Sequence, residues 1–94
     1  MDVKEANAEL ARVVSEYRSK PYGFWESQIG QEPIVFEITT ETGNEYQVEI
    51  EAFWDVRPGG DIRVLFGIDD GGWRAFCPLT KDFVVTKEGR SVEG

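Results

Sequence analysis

The stretch Ile34-Val35-Phe36-Glu37-Ile38-Thr39-Thr40-Glu41-Thr42-Gly43-Asn44-Glu45-Tyr46-Gln47-Val48-Glu49-Ile50-Glu51-Ala52-Phe53-Trp54 decides the fold. Apolar residues fall at every second position on both sides of Thr42-Gly43-Asn44. A period of two belongs to a strand with one buried face. The stretch therefore reads as two antiparallel strands joined by a short loop. A two-residue loop at Gly43-Asn44 would set Ile38 opposite Glu49 and mix the faces. A three-residue loop, Thr42-Gly43-Asn44, pairs Ile38 with Val48 and Phe36 with Ile50. It asks for a left-handed backbone at Asn44, which asparagine tolerates. A slip by one residue would exchange the two faces, so the three-residue loop is preferred.

Working outward, Arg57-Pro58-Gly59-Gly60 reads as the next turn. Ile62, Val64, Phe66 and Ile68 then alternate with Arg63, Leu65 and Gly67, a third strand. Asp70-Gly71 between apolar alternations is a strong hairpin signal. It predicts a fourth strand with Trp73 opposite Ile68, Ala75 opposite Phe66 and Cys77 opposite Val64. Pro78 ends that strand, Leu79-Thr80-Lys81-Asp82 reads as a turn, and Phe83-Val84-Val85 as a short fifth strand or a segment docked on the core. Residues 87–94 read as a polar tail.

Upstream, Val3, Ala6, Leu10, Val13, Val14 and Tyr17 keep the 3–4 spacing of one helical face, which predicts a helix over residues 2–20. Asp2 caps its first turn, with Glu5 placed for a capping box, and Pro21 stops it. Residues 21–33 read as a loop whose Tyr22, Phe24 and Trp25 plug a core edge or, with Trp54, line a small-molecule pocket. The expected fold is α+β: one domain, residues 1–94, with the N-terminal helix packed on one face of a four-stranded antiparallel meander over residues 34–86. The face under the helix holds Ile34, Phe36, Ile38, Tyr46, Val48, Ile50, Trp54, Val64, Phe66, Ile68, Trp73 and Ala75.

Charge is distributed unevenly. Residues 21–56 carry eight acids (Glu26, Glu32, Glu37, Glu41, Glu45, Glu49, Glu51, Asp55) and no Lys or Arg, while the flanking segments are balanced. The net charge of −8 thus arises in one segment. Such a field repels nucleic acid and anionic lipid and attracts a basic partner; a charge of this size also keeps a small protein soluble. In the expected register Glu37 faces Glu49, Glu41 faces Glu45, and Val35 faces Glu51 on the outer side of the sheet. Like charges opposite one another destabilise a strand pair, and such departures from local consistency concentrate at functional sites. Val35, Phe53, Leu65 and Phe76 share that face with Arg63 and Arg74. An apolar centre with a charged rim has the composition of a protein interface. The expected partner-binding residues are Glu37, Glu49, Glu51, Phe53, Leu65 and Phe76, facing a basic protein or a second copy of the chain, unless the C-terminal segment covers them.

Little catalytic chemistry is available. The chain has no His, which removes the commonest general base and metal ligand. Its one Cys, Cys77, cannot build a zinc site or an intrachain disulfide and reads as a core residue. Asp69 and Asp70 lack the spacing of a calcium loop and read as turn formers. No phosphate-binding glycine motif or basic nucleic-acid patch occurs. No enzyme activity, cofactor or metal is expected. With no signal peptide at Met1-Asp2-Val3-Lys4-Glu5 and no long apolar run, the expected location is the cytoplasm.

The run Gly67-Ile68-Asp69-Asp70-Gly71-Gly72-Trp73-Arg74-Ala75-Phe76, followed by Pro78-Leu79-Thr80 and Asp82-Phe83, resembles small uncharacterised bacterial proteins, some of them similar to immunity proteins of competition systems. The resemblance implies a small cytoplasmic binding protein and assigns no functional residue.

Overall fold

The computed structural model describes residues 1–72 and 78–93. Two helices, α1 (Val3–Tyr17) and α2 (Tyr22–Gln28), precede five strands: β1 (Ile34–Thr39), β2 (Glu45–Trp54), β3 (Ile62–Asp69), β4 (Leu79–Val85) and β5 (Ser91–Glu93). The strands form one antiparallel sheet in the order β1-β2-β3-β4-β5. The α+β class and the packing of the N-terminal helix on the sheet agree with the sequence. Five features differ.

α1 is shorter than residues 2–20. Arg18 closes it by donating its amide to the Val14 carbonyl at 2.9 Å, and Lys20 turns back onto Tyr17. Pro21 also opens α2, inside the segment expected to be a loop: it is the N-cap, and its carbonyl accepts the Phe24 amide at 3.0 Å. The fixed proline φ suits a helix start as well as a helix end. Burial of Trp25, at 0% exposure, holds this short helix on the sheet. α1 lies on β3 and β4, and α2 on β2 and β3. The rings of Tyr22, Phe24 and Trp25 therefore pack on the core. Trp25 meets Phe24 and Phe83 edge-on at 4.8 and 6.2 Å, and Tyr22 donates its hydroxyl to the Gly60 carbonyl at 2.7 Å.

The first hairpin keeps the expected faces with a pairing two residues away. Phe36 faces Val48, Ile38 faces Tyr46 and Ile34 faces Ile50. The loop is Glu41-Thr42-Gly43, closed by the Thr40 amide on the Asn44 carbonyl at 2.9 Å. Its left-handed residue is Gly43, at φ 85°, instead of Asn44. Glycine adopts that conformation with no Cβ clash, so the loop settles one residue earlier. A shift of two keeps every side chain on its face.

The predicted fourth strand is replaced. Ile68, Phe66 and Val64 pair with Leu79, Lys81 and Phe83, and Ile62 with Val85. The expected Trp73, Ala75 and Cys77 strand lies outside the described residues. Both favoured two-residue hairpin turns need positive φ at the first central residue, here Asp70. Of the pair only Gly71 has positive φ, at 83°. Instead the Asp69 and Asp70 carboxylates accept the Gly71 and Gly72 amides at 2.8 and 3.1 Å, so these acids are turn formers as expected. Pro78, with no amide to give a ladder, precedes the strand. Leu79–Asp82, read as a turn, is its first half, and the polar tail supplies β5 at Ser91–Glu93.

The core is the inner face closed by the helices. Ala6, Leu10, Val13 and Val14 of α1 meet Val48, Ile50, Ile62, Val64, Phe66, Ile68, Phe83 and Val85 of the sheet, all buried. Leu79 stands opposite Ile68, where Trp73 was expected, and Phe83 opposite Val64, where Cys77 was expected. Burial of each such side chain contributes roughly 1.5–3 kcal/mol. One polar cluster pins the hairpin end to α1. Asp2 caps Glu5 as expected, at 3.0 Å. The Glu5 carboxylate does not complete the capping box. It accepts Thr42 Oγ1 at 2.6 Å, Asn44 Nδ2 at 2.8 Å and Tyr46 Oη at 2.8 Å. These donors, Thr42 foremost, hold the Glu5 carboxyl down at about 2. Desolvation and then the Glu5 bond push Tyr46 up to about 12.

Candidate functional site

The alternation that buries one face of the sheet sends the other outward. Along β2 the residues Gln47, Glu49, Glu51 and Phe53 point away from the helices, and so do Arg63, Leu65, Gly67 and Asp69 along β3. Glu37, Glu49 and Glu51 are exposed on this face, as expected, and Phe53 is 41% exposed. Leu65 is half-buried. Phe76 and Arg74 lie outside the described residues.

The pairing corrects the charge argument. Glu37 faces Gln47, and Glu49 faces Val35 on one side and Gly67 on the other. The expected Glu37–Glu49 and Glu41–Glu45 pairs are not formed: Glu45 faces Thr39, and Glu41 is in the loop. Acidic crowding occurs along β2 instead. Glu49 and Glu51 are two residues apart on one face and, with Asp69, Leu65, Gly67, Pro78 and Thr80, line a cleft of about 190 Å³. Partial loss of hydration there, followed by the Glu51 and Asp69 carboxylates, pushes the Glu49 carboxyl above its ordinary value. Gly67 leaves the floor open, and a Cβ on it would sit 3.6 Å from the Pro78 ring.

Arg63 supplies no free positive charge to this face. Its Nε donates to Asp55 Oδ1 at 2.8 Å, and its Nη1 to Asp82 Oδ2. The two carboxylates hold the guanidinium above its usual value. Neighbouring Val84 is buried, while Val35 and Val92 are half exposed, at 50% and 51%. The Phe83-Val84-Val85 segment does not fold over the face; it extends the sheet sideways beside β3.

The face therefore holds two neighbourhoods. Glu49, Glu51 and Leu65 meet at the acidic cleft, with Glu37 beyond Gln47 on the adjoining strand. Phe53 stands apart, opposite Arg63. The sequence missed Asp69, although continuing the alternation from Leu65 and Gly67 by one step would have found it. Asp82 and Thr80 had no such signal, because their place depends on the β3–β4 register. Among the described residues no group of three or more His, Cys, Asp or Glu side chains is placed to hold a metal ion, and no helix is long and apolar enough to cross a membrane. No protein-family model, curated protein or solved structure matches this chain.

Proposed function

We propose that this protein is a non-enzymatic binding module that presents its acidic outer sheet face to a basic protein. The carrying observation is the arrangement of Glu37, Glu49, Glu51 and Asp69 on one face, where the described cation, Arg63, is already held by Asp55 and Asp82. The cleft offers carboxylates at its rim and Leu65 and Pro78 at its wall. A lysine or arginine side chain matches both: its aliphatic stem lies on the apolar wall and its head meets the acids. Complementary fields of this kind speed encounter and select partners. An inhibitor of the immunity type, acting by covering a basic surface of its target, is the form of this reading that the sequence resemblance implies.

The test is affinity capture from the source lysate at low salt, with the natural chain and a Glu37→Lys/Glu49→Lys variant as baits. A basic protein held by the natural bait alone, and released as salt rises, is the expected result. Equal capture by both baits, or retention at high salt, would remove the acidic face from the binding event.

A further inference from the structure

The sheet has two edges, and they are not equivalent. At one end the free side of β4 is partly taken by β5, which pairs with Phe83, Val84 and Val85. At the other end β1 pairs with β2 alone among the described residues, leaving the second side of Ile34–Thr39 without a strand. The parity of its free groups follows from one bond. Thr40 donates its amide to Asn44 across the hairpin at 2.9 Å, so its N–H points towards β2. Alternation then turns the N–H and C=O of Val35, Glu37 and Thr39 away from the sheet. They form a row of three donor–acceptor pairs on an extended template.

The side chains beside that row are also incomplete. Ile34 and Phe36 lie on the core face yet are only half-buried, whereas their partners Ile50 and Val48 are 1% and 0% exposed. Neither helix makes its main contact with β1. On the opposite face Val35 is 50% exposed and Glu37 is exposed, with Glu49 next to Val35.

We infer that the free edge of β1 accepts an extended segment of the basic partner as an added strand. The inference rests on the proposed binding of a basic protein and specifies how that protein is held. The segment alternates: apolar residues continue the inner stripe of Ile34, Phe36 and Ile38, and Lys or Arg lies beside Glu37 and beside Val35, over which it reaches towards Glu49. Main-chain bonds supply affinity and the alternating side chains supply specificity, as in other strand additions. A second copy of the chain fits the same edge poorly. It would bring together two segments that each hold eight acids and no base, in molecules of net charge −8.

The probe is an end-capped octapeptide of alternating Lys and Val, added at low salt to isotope-labelled protein. Amide hydrogen exchange at Val35, Glu37 and Thr39 should slow about tenfold or more at saturation, with little change at Ile34, Phe36 and Ile38, whose amides already face β2. Val35→Pro removes one outward N–H and leaves the β1–β2 ladder intact, and should weaken the peptide about tenfold, the size of one lost main-chain bond. Should that variant not fold, methylation of the peptide amides makes the same cut from the other side. N-methyl on the Lys residues abolishes antiparallel addition, and N-methyl on the Val residues abolishes parallel addition. Salt-sensitive peptide binding that leaves the three edge amides unprotected, or that tolerates both methylations, overturns the edge inference and leaves the acidic-face reading standing. No peptide binding at all overturns it too, while capture of a basic protein tests the face separately. Concentration-dependent protection of the same amides without peptide would assign the edge to a second copy instead.

Discussion

The two faces of the sheet come from the same alternating strands and have opposite physical characters. The inner face is a continuous apolar layer in which Val48, Val64, Phe66 and Ile68 have 0% exposure. The outer face carries separated apolar groups among carboxylates, and its cation is already paired. Side-chain identity on the inner face is set by volume, because close-packed interiors penalise any cavity. On the outer face packing constrains side-chain volume little, so the core does not dictate the acids there. The contrast separates residues that make the molecule from residues free to serve a partner.

Breaking the inner face should have the largest effect. Phe66 is buried between Tyr17 and Phe83, with centroids at 6.2 and 5.5 Å. Phe66→Ala should cost about 3–5 kcal/mol in urea unfolding. Phe53→Ala, on the outer face, should stay within about 0.5 kcal/mol. Similar costs for the two would erase the distinction between the faces.

The next largest effect tests the cluster that ties α1 to the first hairpin. Glu5 ionises at about 2 in the folded chain against an ordinary 4.5. A depressed carboxylate stabilises above its unfolded pKa, and that contribution is lost as pH falls through the folded value. Glu5→Gln should therefore lower stability at neutral pH and flatten its decline between about pH 4.5 and 2. An unchanged acid limb in thermal melts would remove Glu5 as its cause. Tyr46 acts in the opposite window. Its phenol is raised to about 12, so its contribution is present below the ordinary 10.0 and is lost as pH rises through 12.

Arg63→Ala sharpens the outer side. The side chains of Arg63, Asp55 and Asp82 are all less than a third exposed, and the variant leaves two carboxylates without their cation. A loss of stability smaller than that of Phe66→Ala is expected, shrinking as salt rises. A loss that is independent of salt would point to the packing of the arginine stem instead. The smallest effect is expected for Glu49→Gln. A carboxyl with a raised folded pKa binds its proton more tightly when folded, so its ionisation opposes folding as pH rises. The variant should be slightly more stable than the natural chain at neutral pH and indistinguishable from it in acid. Destabilisation at neutral pH would mean that Glu49 makes a favourable contact as an anion.

Much of this architecture was legible in the sequence. The alternation assigned the strand residues Ile34–Thr39, Glu45–Trp54 and 62–68 to their faces, though it set Glu41 opposite Glu45 where the structure has a loop, and the helical stripe of α1 found its buried residues. Glu37, Glu49 and Glu51 of the candidate face were legible for the same reason, since face is a period-two property that survives a register shift of two; Asp69 was missed. The pairing was not legible. Whether Glu37 faces Glu49 or Gln47 depends on which loop residue takes positive φ, and Asn44 and Gly43 both qualify in isolation. The second helix hid in an aromatic segment too short to show a period, held by the burial of Trp25.

Sequence by itself determined which residues of β1, β2 and β3 lie on each face and which segment carries the charge, because each depends only on residue type and local spacing. Tertiary structure decided which strand completes the sheet. Asp70-Gly71 favoured a tight local hairpin, yet β3 pairs with Leu79–Val85, which sets Phe83 and Val85 into the core opposite Val64 and Ile62. Burial of those two side chains against both helix and sheet is a non-local gain that no turn propensity reports. The same choice brought Asp82 to Arg63 and Thr80 to the acidic cleft, so the surroundings of the candidate site follow from a competition between strands that only the assembled core resolves.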